Sequence, residues 1–442
     1  MKATAISSVS ALIFLSIFAS PLSAATIDLN VSVSNPFLLA DQEQSIFLKV
    51  GLTGGDLGNE RRTPANVSIV LDRSGSMDGE KMARAKEAAS IAISMLDDRD
   101  IVSIVTYSDT VSVLVPATRV SDRQYIQRRI ETVFADGNTA LFAGVSKGAN
   151  EVSKFLEQNS VNRVILLSDG LANVGPDSPG ELGSLGESLK RSGVSVTTIG
   201  LGLGYNEDLM VQLARRSDGN HAFVENYNDL TRIFRYEFQD ILSVVAQDVY
   251  IEINCPEGVV PLRILGRDAE IIGNKVYTTI NQLYSNQEKY LLVELSISPN
   301  QVGSRMNVAD VAIKYADMKT KRSDQLFGNS EVEFTKSIET VERSVDKETV
   351  IDAVKQISAE VSEEAVLLRD EGRVEEAQAL LEKNTEYLFG AASALESEEL
   401  LNLGDVNAMD AEAIEDDSIW NESRKRMKAD SYEIQSQQSY GD

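Results

Sequence analysis

The sequence predicts an α/β domain with a doubly wound, mostly parallel sheet, inserted in a β-sandwich and followed by a C-terminal helical hairpin. Two short and mostly apolar runs, Val67–Leu71 and Val164–Leu167, are typical of strands that helices cover on both faces. Segments of alternating polarity, which indicate antiparallel strands, lie on both sides of this region. A helical period in the apolar residues begins near Asp346.

The flanking strands predict how the domains are arranged. Two alternating segments, Ile27–Val33 and Ser45–Val50, are too few for an independent sheet, and further candidate strands follow residue 244. We therefore expect one β-sandwich built from residues 26–64, which include a linker, and residues 243–337. The α/β domain, residues 65–242, would be inserted between these two flanks.

The C-terminal region has a different pattern. Residues 338–400 have two amphipathic stretches separated by Asp370-Glu371-Gly372, which predicts a helical hairpin. The hairpin resembles one tetratricopeptide-like unit, but a single unit cannot stack, so we expect it to pack on the sandwich. Residues 401–442 are polar and predict a flexible tail, or a tail whose basic stretch Ser423–Lys428 folds back onto the chain's own carboxylates.

Composition limits the classes of partner. The 442 residues are too many for one compact core, and the formal net charge is −26. This charge opposes the approach of nucleic acids and of anionic membrane surfaces. Cations and basic protein surfaces are more compatible with this negative charge as partners. Cys255 is the only cysteine, so no intrachain disulfide can form.

The first 25 residues have the pattern of a secretory signal peptide. Lys2 supplies a positive charge, Ala11–Ala19 is apolar, and small residues lead to cleavage after Ala24 or Ala25. The apolar segment is short for a transmembrane helix, although it could be retained as an anchor. We therefore expect a bacterial periplasmic or secreted protein with no integral membrane segment after cleavage.

Oxygen side chains follow the two apolar runs. Asp72, Ser74 and Ser76 stand on alternate residues after the first run, and Asp169 follows the second. Thr139 lies between them in a glycine-containing loop that leads into an amphipathic stretch. Ligands bind beyond the carboxyl ends of strands in such sheets, and hard divalent cations prefer oxygen ligands. These residues would form one metal site if the two strands are neighbours.

The motif Asp72-x-Ser74-x-Ser76, followed by Thr139 and then by Asp169-Gly170, resembles the metal-ion-dependent adhesion site of the von Willebrand factor type A domain family. Val194–Gly202 resembles the fifth strand of that family, and the resemblance covers about residues 65–242. With its flanking strands, the chain resembles bacterial secreted proteins that are similar to inter-alpha-trypsin inhibitor heavy chains and calcium-activated chloride channel-like proteins.

The resemblance implies a role for each of the five residues. Ser74, Ser76 and Thr139 would bind Mg²⁺ directly, while Asp72 and Asp169 would hold metal-bound waters. An open coordination position would take an Asp or Glu carboxylate from a partner protein. Mn²⁺ or Ca²⁺ could replace Mg²⁺, because selectivity depends on the size of the cavity. The sequence names neither the partner nor the oligomeric state.

Other chemistries fit the sequence less well. An aspartyl phosphatase needs a second carboxylate at the position of Ser74. The segment Gly200-x-Gly202-x-Gly204 does not have its third glycine at the position that a dinucleotide-binding loop requires. A hydrolase triad needs a histidine aligned with a nucleophile, and the sequence near the only histidine, His221, does not support this arrangement. We therefore predict a non-enzymatic adhesion or assembly module. The alternatives are a scaffold that the metal only stabilises and, more remotely, a metal-assisted hydrolase.

Overall fold

The computed structural model describes residues 26–58, 62–157 and 160–438. Residues 1–25, where the sequence predicts a signal peptide, lie outside the described residues. The described chain begins with the strands β1 (Ile27–Val33), β2 (Phe37–Leu39) and β3 (Gln44–Gly54).

An α/β domain follows β3, and every residue of its first and fourth strands is buried, as expected for strands covered on both faces. Its elements in chain order are β4 (Ala65–Asp72), α1 (Glu80–Met95), β5 (Ile101–Tyr107), β6 (Val111–Arg119), α2 (Arg123–Glu131), α3 (Leu141–Ser153), β7 (Val161–Ser168), α4 (Pro179–Arg191), β8 (Ser195–Leu201), α5 (Glu207–Ser217), β9 (His221–Val224) and α6 (Leu230–Leu242).

The six strands of this domain form one sheet in the order β6-β5-β4-β7-β8-β9. All neighbours are parallel except β6, which runs antiparallel to β5. Helices α1, α2 and α6 share a core with one face of the sheet, and α3, α4 and α5 share a core with the other. The predicted doubly wound, mostly parallel sheet is confirmed. The chain builds β5 and β6 on one side of β4 before it crosses to β7, so the winding reverses between β4 and β7.

The chain then returns to antiparallel strands. They are β10 (Val244–Asn254), β11 (Val259–Leu265), β12 (Glu270–Ile272), β13 (Lys275–Tyr284), β14 (Glu288–Ile297), β15 (Arg305–Asp317) and β16 (Arg322–Thr335). One sheet has the order β1-β3-β14-β11 and the other β12-β13-β10-β15-β16-β2. Both sheets therefore combine strands from before and after the α/β domain. Their buried side chains, including Cys255 as a free thiol, form one shared core.

Five helices complete the described chain: α7 (Ile338–Arg343), α8 (Lys347–Asp370), α9 (Val374–Leu395), α10 (Glu398–Ala413) and α11 (Trp420–Ser436). Helices α8 and α9 form the hairpin that the sequence predicts, and Gly372 turns the chain between them with φ of +80°. Ala353 of α8 packs against Leu265 and Leu292 of the sandwich. None of the helices in the described ranges is both long and apolar enough to cross a membrane.

The expectation of a flexible tail over residues 401–442 needs correction, because α10 and α11 occupy most of it. Ile414 and Met427 are buried against residues of α8 and α9, so this polar stretch still contributes apolar side chains to a core. The basic stretch has partners in other elements. Arg424 lies 2.8 Å from Asp208 and 2.6 Å from Asp370. The fold-back onto the chain's own carboxylates, one of the two expectations, is the arrangement that the structure has.

Helix α11 covers the only histidine of the chain, and this burial predicts a pH dependence. His221 Nδ1 lies 2.8 Å from Thr198 Oγ1, and its ring meets that of Tyr432 edge-on. Burial lowers the pKa of His221 from 6.5 to about 3. In the unfolded chain the imidazole of His221 therefore binds a proton below about pH 6.5. In the folded chain it binds this proton only near pH 3. The free energy of unfolding should fall as the pH drops through this window, by up to about 1.4 kcal/mol per pH unit from this group.

Replacing His221 with glutamine removes this contribution, so the variant should lose less stability than the wild type between pH 7 and pH 5. Urea unfolding at the two pH values measures the difference. An equal loss in both proteins would show that His221 is not a buried neutral group.

Candidate metal centre

The five residues of the predicted metal site lie at one edge of the α/β sheet, where the winding reverses. Asp72 is the last residue of β4, and Asp169 follows the last residue of β7. These two strands are parallel neighbours with Leu71 opposite Leu167, so both carboxylates leave the sheet at the same edge. Open α/β sheets bind their ligands in the crevice at such a reversal.

The loop after β4 folds around the Asp72 carboxylate. Ser74 donates its backbone N–H to Asp72 Oδ1 at 2.8 Å, and its hydroxyl oxygen lies 3.1 Å from that of Ser76. Ser76 in turn donates its hydroxyl to Asp169 Oδ1 at 2.7 Å. Asp72, Ser74 and Asp169 are buried, whereas Ser76 is exposed. The cluster is therefore closed on the side of the sheet and open to solvent at Ser76.

The loop that carries Thr139 is joined to the first loop by its backbone. Gly75 donates its N–H to the carbonyl of Gly137 at 2.9 Å, and Asp136 donates to the carbonyl of Arg73 at 2.7 Å. Gly137 has a φ of +82°, a conformation that favours glycine. Thr139, which immediately precedes Ala140 and α3, is 3% exposed. The loop thus holds a buried threonine at the edge of the sheet.

Gly170 lies directly beside two of the hydroxyl groups of the site. A Cβ atom on this residue would lie 3.0 Å from Thr139 Oγ1 and 3.4 Å from Ser76 Oγ. Both hydroxyl oxygens therefore face the same small space, and Asp169 is the adjacent residue in the chain. The structure thus brings all five residues of the predicted site together from three separate loops.

Asp72 is the most enclosed of these groups. Its Oδ2 accepts hydrogen bonds from Ser168 Oγ at 2.7 Å and from Tyr107 OH at 3.3 Å. Burial raises the pKa of Asp72, and the hydrogen bonds from Ser168 and Ser74 act in the opposite direction. Burial also raises the pKa of Tyr107 well above 10, so its phenol remains a neutral donor. Both oxygens of Asp72 are fixed in place before any ligand arrives.

The donors fit a hard divalent cation. All five side chains offer oxygen atoms, two of them as carboxylates, and a side chain at position 170 would crowd the hydroxyls of Thr139 and Ser76. Mg²⁺ takes this kind of oxygen set and usually keeps several waters in its coordination shell. His221 does not contribute, because it is buried against Thr198 and Tyr432.

Four further residues support the site and were not predicted. Ser168 and Tyr107 hold Asp72, while Asn173 accepts the backbone N–H of Thr139 at 2.8 Å. The fourth, Lys81 of α1, forms an ion pair with Asp169 Oδ2. Ser168 could have been identified from the sequence, because it directly precedes Asp169. The other three depend on side chains that meet only in the folded chain.

A second group of carboxylates has an internal counterion. Within the described ranges, Glu288, Glu348 and Asp352 are close enough together to hold a metal ion. The ammonium of Lys49 lies 3.0 Å from Glu288, 2.8 Å from Glu348 and 2.7 Å from Asp352. Its side chain is 2% exposed. This group is therefore an ion-pair cluster that connects β3 and β14 with α8.

Comparison with known proteins identifies relatives of this chain. The uncharacterized protein YfbK of Escherichia coli K12 is 27% identical over 292 residues, which cover 64% of this chain and 50% of YfbK. Inter-alpha-trypsin inhibitor heavy chain H3 of Homo sapiens is 28% identical over 176 residues, or 38% of this chain and 19% of that protein. Calcium-activated chloride channel regulator 1 of Bos taurus is 28% identical over 192 residues, or 42% of this chain and 20% of that protein. The matched segments thus span half or less of these three relatives.

The fold extends further than the sequence similarity. A solved structure described as von Willebrand factor type A from Catenulispora acidiphila has a TM-score of 0.68 to this chain at 17% identity. The likeness covers 87% of this chain and 89% of that one. It therefore includes elements outside the α/β domain.

Residues 66–235 match the family model of the von Willebrand factor type A domain. The match lies within the α/β domain and includes all five residues of the candidate metal centre. The resemblance of this region to the von Willebrand factor type A domain is confirmed, and the chain carries a domain of that family over these residues.

Proposed function

We propose that this chain is an exported, divalent-cation-dependent protein-binding module that works in adhesion or assembly. Its metal site would be formed by Asp72, Ser74, Ser76, Thr139 and Asp169. The observation that carries the proposal is the convergence of these oxygen side chains, from three loops far apart in sequence, around the space above Gly170. The partner would be a protein that donates an Asp or Glu carboxylate to the ion.

The family supports the general class of function. Domains of the von Willebrand factor type A family mediate protein–protein interactions, often with a bound divalent metal, and the family is generally non-enzymatic. We further propose that this chain acts in adhesion or assembly, uses Mg²⁺ and takes a carboxylate from its partner. Mn²⁺ and Ca²⁺ remain alternatives to Mg²⁺.

The hydroxyls of Ser74, Ser76 and Thr139 would hold the ion, while the carboxylates of Asp72 and Asp169 would orient its waters. A bound Mg²⁺ supplies a strong electrostatic attraction for one more anionic oxygen. Helix α1 begins at Glu80, close to Ser76, and its N-terminus adds positive potential that favours an incoming carboxylate. The exposure of Ser76 leaves this side open to a partner.

The proposal places the chain in the periplasm or the extracellular space of a bacterium, because residues 1–25 have the pattern of a secretory signal peptide. An adhesion or assembly module would meet its partner in that compartment. The partner should therefore be found among envelope or secreted proteins.

Partner capture from the native envelope and secreted fractions tests this function. The purified chain is immobilised and partners are recovered in Mg²⁺ or in chelator, with Thr139→Ala as the site variant. Thr132→Ala is the matched control, since Thr132 is exposed at the end of α2 and its hydroxyl donates to the Arg129 carbonyl. We expect a partner that is captured by the wild type and the control in Mg²⁺ and lost with chelator or Thr139→Ala.

Two other results would point elsewhere. Capture that persists in chelator and in Thr139→Ala would remove the metal from the binding mechanism. A metal-dependent rise in melting temperature without any metal-dependent partner would favour the scaffold function, in which the ion only holds the three loops together.

A further inference from the structure

Lys81 brings a positive charge directly to the candidate metal centre. Its ammonium forms an ion pair with Asp169 Oδ2, while Asp169 Oδ1 accepts the hydroxyl of Ser76 at 2.7 Å. The Asp169 side chain is fully buried, and that of Lys81 is 20% exposed. The Lys81 ammonium also lies 5.8 Å from the centroid of the Tyr227 ring. Both oxygens of Asp169 therefore have partners within the chain.

The position of Lys81 is unfavourable for a cation without this ion pair. Lys81 is the second residue of α1, where the positive end of the helix dipole opposes a positive side chain. Holding the long side chain in one conformation also costs entropy. The buried carboxylate of Asp169 offsets both costs. The ion pair is thus a specific contact and differs from the exposed pairs at the protein surface.

We propose that Lys81 competes with the metal ion for Asp169. This competition weakens the affinity of the site for divalent cations. This inference rests on the proposed function, because it assigns regulation to the same site. A divalent ion held beside Asp169 would place two positive charges within a few ångströms of the ammonium, and like charges repel strongly in a partly buried site. Metal binding should therefore require Lys81 to move away from Asp169.

The neighbouring aromatic ring offers the displaced ammonium a favourable place. An ammonium over the face of a tyrosine ring gains cation–π attraction, and Tyr227 is already within reach of Lys81. The exchange keeps the lysine close to the site. The affinity of the site for the metal ion then depends on the difference in free energy between two positions of the Lys81 ammonium, beside Asp169 and over the ring of Tyr227.

Titration calorimetry with Mg²⁺, and with Mn²⁺ as a second probe, tests the competition. We compare the full chain with Lys81→Met, with Lys81→Arg and with the control Lys86→Met, which removes the same charge from the same helix. Lys86 lies on the same helix and donates to the carbonyl of Glu131 at 2.9 Å. Lys81→Met should bind Mg²⁺ about tenfold more tightly than the wild type, a gain of about 1.4 kcal/mol. Lys81→Arg and Lys86→Met should stay near the wild-type affinity.

A second readout needs no bound metal. In chelator, Lys81→Met should melt at a lower temperature than the wild type, because Asp169 loses its counterion, and the difference should shrink as Mg²⁺ is added. Lys81→Gln replaces Lys81→Met if the latter does not fold.

The possible outcomes separate this inference from the proposed function. If the wild type binds Mg²⁺ and Lys81→Met binds it with the same or lower affinity, the inferred competition is wrong and the proposed metal site stands. The same conclusion holds if Lys86→Met tightens binding as much as Lys81→Met does. Measurable binding only in Lys81→Met would support the competition. Failure of the wild type and of every variant to bind either ion would overturn both proposals.

Discussion

Replacement of Arg163 by methionine is expected to lower the free energy of unfolding by about 3–5 kcal/mol, the cost of breaking a buried ion pair. Arg163 on β7 is completely buried, and its guanidinium donates to Glu237 Oε1 of α6 at 2.5 Å. It also donates to the hydroxyl of Tyr284 on β13 at 2.7 Å and to the side chain of Gln282. The variant leaves the buried carboxylate of Glu237 without its counterion. Because β13 belongs to the sandwich, the change also removes a direct connection between the sandwich and the α/β domain.

Urea unfolding of four proteins measures this effect. The double variant Arg163→Met/Glu237→Leu should recover most of the lost stability, since no uncompensated charge remains buried. Arg119→Met is the control, because Arg119 is exposed at the end of β6 in the same domain. A loss below about 1 kcal/mol in Arg163→Met, or a double variant as unstable as the single one, would contradict a buried ion pair at this junction.

Replacement of Asp72 by alanine should abolish the stabilisation of the chain by divalent metal. With Mg²⁺ at a hundred times its dissociation constant, the free energy of unfolding of the wild type should rise by about 2.7 kcal/mol. The variant should gain nothing, because it lacks the carboxylate that fixes Ser74 and orients the metal-bound water. The quantity compared is the difference between Mg²⁺ and chelator for each protein, so any change in the stability of the metal-free chain cancels.

Asp177→Ala is the matched control for this prediction. Asp177 is an exposed carboxylate in the loop between β7 and α4, beyond the residues that contact the site. The control should keep the full gain. A similar gain in Asp72→Ala would mean that the stabilising ion binds elsewhere on this acidic chain.

Much of the α/β domain could be predicted because its signals are local. The apolar runs that become β4 and β7 each end in a carboxylate, and parallel strands place such ends at one edge of the sheet. The alternating spacing of Ser74 and Ser76 indicates a loop rich in oxygen atoms. The sequence alone could therefore select all five side chains that the structure brings together at this edge.

The rest depends on contacts between distant residues. Lys81 is an ordinary residue of an amphipathic helix until the fold places Asp169 beside it. The C-terminal residues look like a solvated tail because their charges have no partners nearby in the sequence. In the structure Lys425 is buried and donates to the carbonyl of Tyr205 at 2.9 Å, and Arg424 pairs with Asp208. Composition cannot distinguish charges that face solvent from charges that join two domains.

We expect one divalent ion to bind where five side chains converge: Asp72, Ser74, Ser76, Thr139 and Asp169. Crystals of the chain grown with Mn²⁺ and measured for anomalous scattering at the manganese edge would locate this ion. We expect a strong anomalous peak beside Gly170, at about 2.0–2.2 Å from the hydroxyl oxygens of Ser74, Ser76 and Thr139. An absence of any peak there, or a peak at Glu288, Glu348 and Asp352 instead, would contradict this expectation.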